Sequence, residues 1–158
     1  MSEDVLHRHR TVWQQKPVLR RLYEDWYREI VAWLVPGRTV ELGGGTGNLK
    51  EYVPTVCCTD VVMLPWLNVV ADAQRLPFQS ESLANLVLFD ALHHIENVTL
   101  FFDDAQRALQ VGHLRTRGAL GGQCSHLALD DATQLDHLDD SVERLQHLGV
   151  ESQCAVSR

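Results

Sequence analysis

The last third of the chain contains no aromatic residue and no proline. All eleven Phe, Trp and Tyr residues lie between Trp13 and Phe102, and all five prolines lie between Pro17 and Pro77. Aromatic side chains contribute strongly to core burial, and prolines mark turns. The composition therefore changes near Gln110, and we expect residues 111–158 to be less ordered than residues 13–109.

Basic charge and long apolar runs are also scarce. A net charge of −7 argues against a basic face that holds nucleic acid. No segment approaches the roughly 18 consecutive apolar residues of a membrane span, and the N-terminal MSEDVLHRHR lacks the apolar core of a secretion signal. We expect a cytoplasmic protein without nucleic-acid or membrane partners.

The cysteines do not predict a metal centre. They stand at Cys57, Cys58, Cys124 and Cys154, without the C-x-x-C spacing of zinc ligands. We expect buried thiols and no bound metal.

The first 110 residues alternate between helical and strand patterns. An apolar stripe at helical spacing predicts a helix that ends before Pro36 and Gly37, and its members are Leu19, Leu22, Tyr23, Trp26, Ile30, Trp33 and Leu34. Four short strands are predicted in RTVEL, TVCCTD, NVVA and ANLVLFD. This alternation favours an α/β fold with a mostly parallel sheet.

The segment VELGGGTGNLK, residues 40–50, contains the end of the first predicted strand, followed by four glycines within five residues. Glycine lets a ligand approach the main chain, and open α/β sheets bind ligands at the carboxyl ends of their strands. The glycine spacing departs from the G-x-G-x-x-G dinucleotide motif, and the phosphate-binding lysine of a P-loop is missing. A tight turn without a ligand is the alternative interpretation.

Acidic residues follow three further strands and strengthen the ligand hypothesis. Asp60, Asp72 and Asp90 each stand where a predicted strand ends, and Glu41 precedes the glycines. An acid after the second strand can accept hydrogen bonds from ribose hydroxyls. A rim rich in carboxylates attracts a cationic ligand.

Together, VELGGGTG, TD, ADAQRLPF and LVLFDALHHI resemble the class I S-adenosylmethionine-dependent methyltransferases, in particular their small-molecule, type 11-like branch. The resemblance implies a Rossmann-like, doubly wound, mostly parallel sheet, S-adenosylmethionine as cofactor and a small-molecule methyl acceptor. It places the cofactor on Glu41, Gly43, Gly44, Gly45, Asp60, Asp72, Ala73 and Phe89. Asp90 is expected to lie beside the acceptor. Apart from the resemblance, His93 and His94 follow the fourth predicted strand, and one of them, His93 in the first place, is a candidate general base for a hydroxyl acceptor. Packing against the next helix, or capping it, is the alternative role of this pair.

The resemblance weakens after residue 110. QVGHLRTRGAL replaces the expected Pro-Gly-Gly turn, and an acidic stretch with apolar residues from Leu135 to Leu145 predicts a last helix. We therefore expect a core at residues 1–110, an atypical or truncated segment at residues 111–158, and an incomplete seven-stranded sheet cut to four or five strands. Such a chain is expected to have weak or no activity.

Two other classes remain open. A non-catalytic interaction protein would keep half of the fold and bind a protein partner through the predicted Leu135 to Leu145 helix or through an exposed sheet edge, where a second copy could also bind. An NAD-binding enzyme ranks third.

Overall fold

The computed structural model describes residues 2–110, 114–120, 123–129 and 153–157, with side chains for residues 2–110. The helices in these ranges are α1 (Glu3–Gln15), α2 (Pro17–Trp33) and α3 (Val98–Ala108). The strands are β1 (Thr39–Leu42), β2 (Cys57–Asp60), β3 (Val69–Val70), β4 (Asn85–Leu88), β5 (Leu114–Leu120), β6 (Gln123–Leu129) and β7 (Gln153–Ser157). Two short 3-10 helices lie at Asn48–Glu51 and Leu92–His94.

The first four strands form a parallel sheet in the order β3-β2-β1-β4. Every residue of β1 and β4 is buried, as expected for central strands covered on both faces. In the observed register Leu42 pairs with Leu88, and Asp60 pairs with Val70. The carboxyl ends of the four strands therefore meet at one rim, as the sequence predicted.

Helices cover both faces of this sheet. Leu86 packs in a buried cluster with Phe101 of α3. Val87, the next residue along β4, packs in a second cluster with Tyr27 and Ile30 of α2. Because successive side chains of a strand point to opposite faces, the two clusters lie on opposite sides of the sheet. The predicted Rossmann-like α/β class is confirmed.

The predicted N-terminal helix is confirmed as α2, whose first residue, Pro17, suits a helix N-terminus. The sequence interpretation missed α1, which precedes it and is separated from it by Lys16. Leu22 was expected on the buried face but is 60% exposed. Tyr27, only 3% exposed, packs in the buried cluster with Ile30 instead, so the buried face of α2 is rotated away from Leu22.

The sheet continues beyond β4, which corrects one expectation. β7 pairs antiparallel with β4 and β5, and β5 pairs with β6, so the described strands number seven rather than four or five. The side chains of β5 show no alternation between apolar and polar residues. Two residues connect β5 to β6, and the two strands pair antiparallel along their length. Antiparallel neighbours provide its backbone partners, which a side-chain pattern does not reveal.

The predicted helix from Leu135 to Leu145 lies outside the described residues. The lower order expected for residues 111–158 and the division of the chain at residue 110 stay predictions. Within the described ranges, each helix is too short or too polar to cross a bilayer.

Candidate ligand site at the carboxyl rim

The glycine loop, residues 43–47, leaves β1 in a conformation that favours glycine. Gly43, Gly45 and Gly47 have φ angles of 63°, 45° and 71°, in the left-handed region. A Cβ atom on Gly43 would lie 2.7 Å from the Cβ of Ala91. The loop therefore packs closely against the segment that follows β4, and this approach requires glycine at position 43.

Three N–H groups of the glycine loop have partners within the chain. Gly44 donates to the carbonyl oxygen of Thr59 at 2.8 Å, and Gly45 donates to Oδ2 of Asp60 at 3.0 Å. Gly47 donates to the carbonyl oxygen of Gly44 at 2.6 Å. A phosphate-binding loop directs its N–H groups at the ligand. The observed bonds favour a ligand without phosphate at this position.

Glu41 lies behind the glycine loop and is 4% exposed. The Sγ of Cys58 donates a hydrogen bond to its Oε2 at 2.9 Å. Burial raises the pKa of Glu41 from 4.5 to about 7; nearby Asp60 also raises it, whereas the Cys58 hydrogen bond and the Lys50 charge lower it. Near neutral pH this carboxyl group is therefore balanced between its two forms, and a ligand cation beside it would favour the carboxylate.

The rim cavity, of about 480 Å³, opens at the carboxyl ends of the strands. It brings together several residues that the sequence predicted for cofactor binding: Gly43, Gly45, Asp60, Asp72 and Ala73. Asp90 and the neighbouring Ile95 line it as well. Its volume falls within the range of small-ligand pockets, about 300 to 1,000 Å³.

The helix cavity, of about 320 Å³, lies between the glycine loop and the first two helices. The predicted residues Glu41, Gly44 and Phe89 line it, together with Gly43, Gly45 and Asp90 from the rim cavity. Its remaining wall includes the aromatic side chains Trp13, Tyr23 and Tyr27. Each of the predicted cofactor-binding residues thus lines at least one of two adjoining cavities.

Asp90 lines both cavities, just after the end of β4. Its φ angle of 52° is in the left-handed region, which aspartate tolerates better than most residues other than glycine. Such backbone strain often occurs at functional sites. Its position agrees with the expectation that Asp90 lies beside the acceptor, although the role itself stays a prediction.

The two candidate bases, His93 and His94, differ in their position relative to the cavities. His93 and His94 belong to one 3-10 helix, and their ring centroids lie 3.9 Å apart. Both side chains are exposed, but His94 lines the rim cavity, whereas His93 is not among the residues lining either cavity. The predicted role of His93 as general base therefore gains no geometric support and stays a prediction. His94 lines the rim cavity, and His9 of α1 lines the helix cavity.

Sequence reasoning missed the contribution of α1. Leu6 is 4% exposed and lines both cavities, and Arg10 donates a hydrogen bond to the carbonyl oxygen of Thr46 in the glycine loop. The spacing of Leu6 and Trp13, two helical turns, was the available signal.

Among residues of the described part of the chain, no group of three His, Cys, Asp or Glu side chains is arranged to hold a metal ion.

These features define a Rossmann-like α/β protein with a ligand site at the carboxyl rim. Residues 40–114 match the model of the type 11 family that is described as a methyltransferase domain. The match covers just under half of the chain and confirms, for this segment, the resemblance found in the sequence. No curated protein sequence matches the chain.

The solved structures that align with the chain are distant from it in sequence. A candidate S-adenosyl-L-methionine-dependent methyltransferase from Methanococcus maripaludis aligns with 99% of this chain and 96% of its own, at 12% identity and a TM-score of 0.59. A candidate methyltransferase from an antibiotic biosynthesis pathway of Anabaena variabilis aligns at 20% identity and a TM-score of 0.44, over 57% of this chain. A third structure, a candidate methyltransferase from Bacillus halodurans, aligns over 80% of this chain at 17% identity and a TM-score of 0.49.

The coverage of these structures differs. This chain spans 43% of the Anabaena protein and 62% of the Bacillus protein. The Methanococcus structure, at 12% identity, supports the fold alone.

Proposed function

We propose that the chain binds S-adenosylmethionine across the rim and helix cavities and transfers its methyl group to a small molecule. The observation that carries the proposal is the meeting of the two cavities at Gly43, Gly45 and Asp90. Acids lie on both sides of this junction, with Asp60 and Asp72 lining the rim cavity and Glu41 lining the helix cavity.

The rim cavity suits the nucleoside end of the cofactor. The carboxylate of Asp60 can accept hydrogen bonds from both ribose hydroxyls while its Oδ2 also holds the N–H of Gly45. Asp72 and Ala73 follow β3 on the same rim and would face the adenine.

The helix cavity suits the methionine end. Glu41 is a buried carboxyl group that an ammonium cation would hold in its charged form. Phe89 packs against Tyr23 and Tyr27, with ring centroids 5.9 and 5.3 Å apart. With a ligand in place, this aromatic wall would shield the methionine end from water and so strengthen the attraction between the ligand cation and Glu41.

The acids and the occupied loop N–H groups favour this cofactor over NAD. A dinucleotide carries a pyrophosphate that needs cations or free N–H groups, whereas Gly44, Gly45 and Gly47 donate within the chain. The NAD hypothesis is weaker for this reason.

S-adenosylmethionine, when bound, supplies an activated methyl group on a sulfonium. The protein then contributes chiefly by aligning the acceptor with that methyl group, which is worth several kcal/mol in well-oriented reactions, on the order of 7 to 11 at most. A hydroxyl acceptor also needs a proton acceptor. Asp90, which lines both cavities, and His94, which lines the rim cavity, are the candidates. Turnover, a cytoplasmic location and a protein partner stay predictions.

Isothermal titration calorimetry with S-adenosylhomocysteine tests the proposal. We expect a micromolar dissociation constant, a binding free energy of about −8 kcal/mol, and no measurable binding of NAD under the same conditions. A folded sample that fails to bind S-adenosylhomocysteine would support the interaction-protein alternative. Tight NAD binding would instead return the chain to the dinucleotide class.

A further inference from the structure

We propose that Trp66 is a positioning residue that sets the shape of the glycine loop for the cofactor; this inference rests on the proposed function. Trp66 lies in the connection between β2 and β3, and its indole Nε1 donates to the carbonyl oxygen of Gly45 at 2.9 Å. The N–H of the same glycine donates to Asp60 at 3.0 Å. Asp60 at the end of β2 and Trp66 in the connection that follows thus hold both polar groups of Gly45.

These two hydrogen bonds matter because Gly45 has an unusual backbone conformation. Its φ angle of 45° is left-handed, and glycine visits many conformations unless contacts select one. Gly45 also lines both cavities. A change in the orientation of this residue would therefore alter the walls of both cavities at the point where they meet.

Trp66 is itself fixed by contacts from three other segments. Its backbone carbonyl accepts a hydrogen bond from Nζ of Lys50 at 2.5 Å. The guanidinium carbon of Arg10 lies 4.6 Å from the centroid of its ring, and the ring of His7 meets it edge-on at 4.8 Å. A Cβ atom on Gly47 would lie 3.0 Å from its Cδ1. The indole therefore has little freedom to turn away from the loop.

These contacts also couple α1 to the loop. Arg10 packs on Trp66 and donates to the carbonyl oxygen of Thr46, while Leu6 of the same helix lines both cavities. Trp66 is not among the residues that line either cavity. It would act on the cofactor through Gly45 and α1 rather than by contact.

The test compares Trp66→Phe with Trp33→Phe by calorimetry with S-adenosylhomocysteine. Trp66→Phe keeps an aromatic ring for Arg10 but removes the donor to Gly45, so the dissociation constant should rise about five-fold, the scale of one neutral hydrogen bond. Trp33 ends α2, and it is not among the residues that line the two cavities. Its substitution should leave the constant unchanged.

A spectroscopic readout separates positioning from plain stability. In the wild-type chain, hydrogen exchange of the Trp66 indole N–H, followed by NMR, should slow when S-adenosylhomocysteine saturates the site, while that of Trp33 should not. Site-specific replacement of Trp66 by benzothienylalanine, which exchanges the N–H for sulfur in a ring of similar size, should weaken binding as Trp66→Phe does. This replacement serves even where the phenylalanine variant fails to fold.

The outcomes distinguish this inference from the proposed function. Wild-type binding with equal affinity in the benzothienylalanine variant would overturn the role of Trp66 and leave the proposed function intact. An indole exchange rate that ignores the ligand would overturn it as well. Absence of binding by the folded wild-type chain would defeat the proposed function, and this inference with it.

Discussion

The rim cavity and the helix cavity meet at the same residues but are built differently. Asp60 and Asp72 reach the rim cavity from the ends of strands, and Asp60 is partly exposed. The helix cavity takes Trp13 and Tyr27 from α1 and α2 and holds a buried acid, Glu41. The comparison indicates recognition by hydrogen bonds near solvent on one side, and by a buried charge that depends on pH on the other.

The largest expected effect is at the junction of the cavities. Gly43→Ala should lower the free energy of unfolding by about 3 kcal/mol, because a left-handed alanine costs about 1 and overpacking costs about 2. Gly45→Ala is the matched control: it is also left-handed, but its Cβ would lie 3.5 Å from Leu6, an ordinary contact. The control should lose only about 1 kcal/mol. Urea denaturation measures both, and equal losses would contradict the close approach to Ala91.

The next effect tests the rim cavity. Asp60→Ala should weaken S-adenosylhomocysteine binding by about 1.5 to 3 kcal/mol, the scale of a hydrogen bond to a charged group. Asp60→Asn can still accept the N–H of Gly45 but loses the charge. Calorimetry should rank wild type above Asn and Asn above Ala. Affinity unchanged in the alanine variant would remove Asp60 from the ribose role.

The helix cavity should differ in its response to pH. Below pH 7 Glu41 is largely protonated, so binding an ammonium group requires release of a proton, and affinity should fall by up to about ten-fold per pH unit. The titratable groups that interact with Glu41 are Cys58, Lys50, Asp60 and Tyr27. Dissociation constants measured between pH 5.5 and 8.5 should show this slope in the wild type and a flat profile in Glu41→Gln. A slope that survives in the variant would place the titrating group elsewhere.

The same substitution should stabilise the ligand-free chain. A carboxyl pKa raised from 4.5 to about 7 means that the folded state binds the proton more tightly than the unfolded state. The free energy of unfolding should therefore decrease as pH rises from 4.5 through 7, because the carboxylate is penalised by burial. Glu41→Gln should remove this decrease. Denaturation at pH 5 and pH 8 checks the sign, and a wild type more stable at pH 8 would contradict it.

The smallest expected effect concerns the histidine pair. His94→Asn should weaken S-adenosylhomocysteine binding by up to about 1 kcal/mol, one ordinary hydrogen bond, because His94 lines the rim cavity. His93→Asn is the matched control and should leave affinity unchanged, since His93 is equally exposed but lines neither cavity. Calorimetry on the two variants measures both affinities. If only the His93 variant lost affinity, His93 rather than His94 would be the histidine that contacts the ligand.

The rim cavity was largely predictable from the sequence because its parts are local. Parallel strands place their carboxyl ends together, so Asp60 and Asp72 could be assigned to one rim as soon as the strands were recognised. Glycines before a helical turn likewise marked a loop with left-handed residues. These features depend on pattern and neighbouring sequence.

The helix cavity was less predictable because its parts meet through tertiary packing. Nothing near Glu41 in sequence indicates that Cys58 donates to it, nor that Trp66 donates to Gly45. The helix α1 carries few apolar residues, and only its contacts with the loop show its part in the site. The strand β5 was missed for a related reason: its backbone pairs with β6 and β7, and this pairing leaves no pattern in the side chains of β5 itself.

A crystal structure of the chain with S-adenosylhomocysteine tests the central claim most directly. The account predicts one ligand spanning both cavities, with ribose hydroxyls within hydrogen-bond distance of Asp60 and the ammonium group beside Glu41. A ligand confined to one cavity, or bound with its adenine against the aromatic wall of Tyr23 and Tyr27, would contradict it.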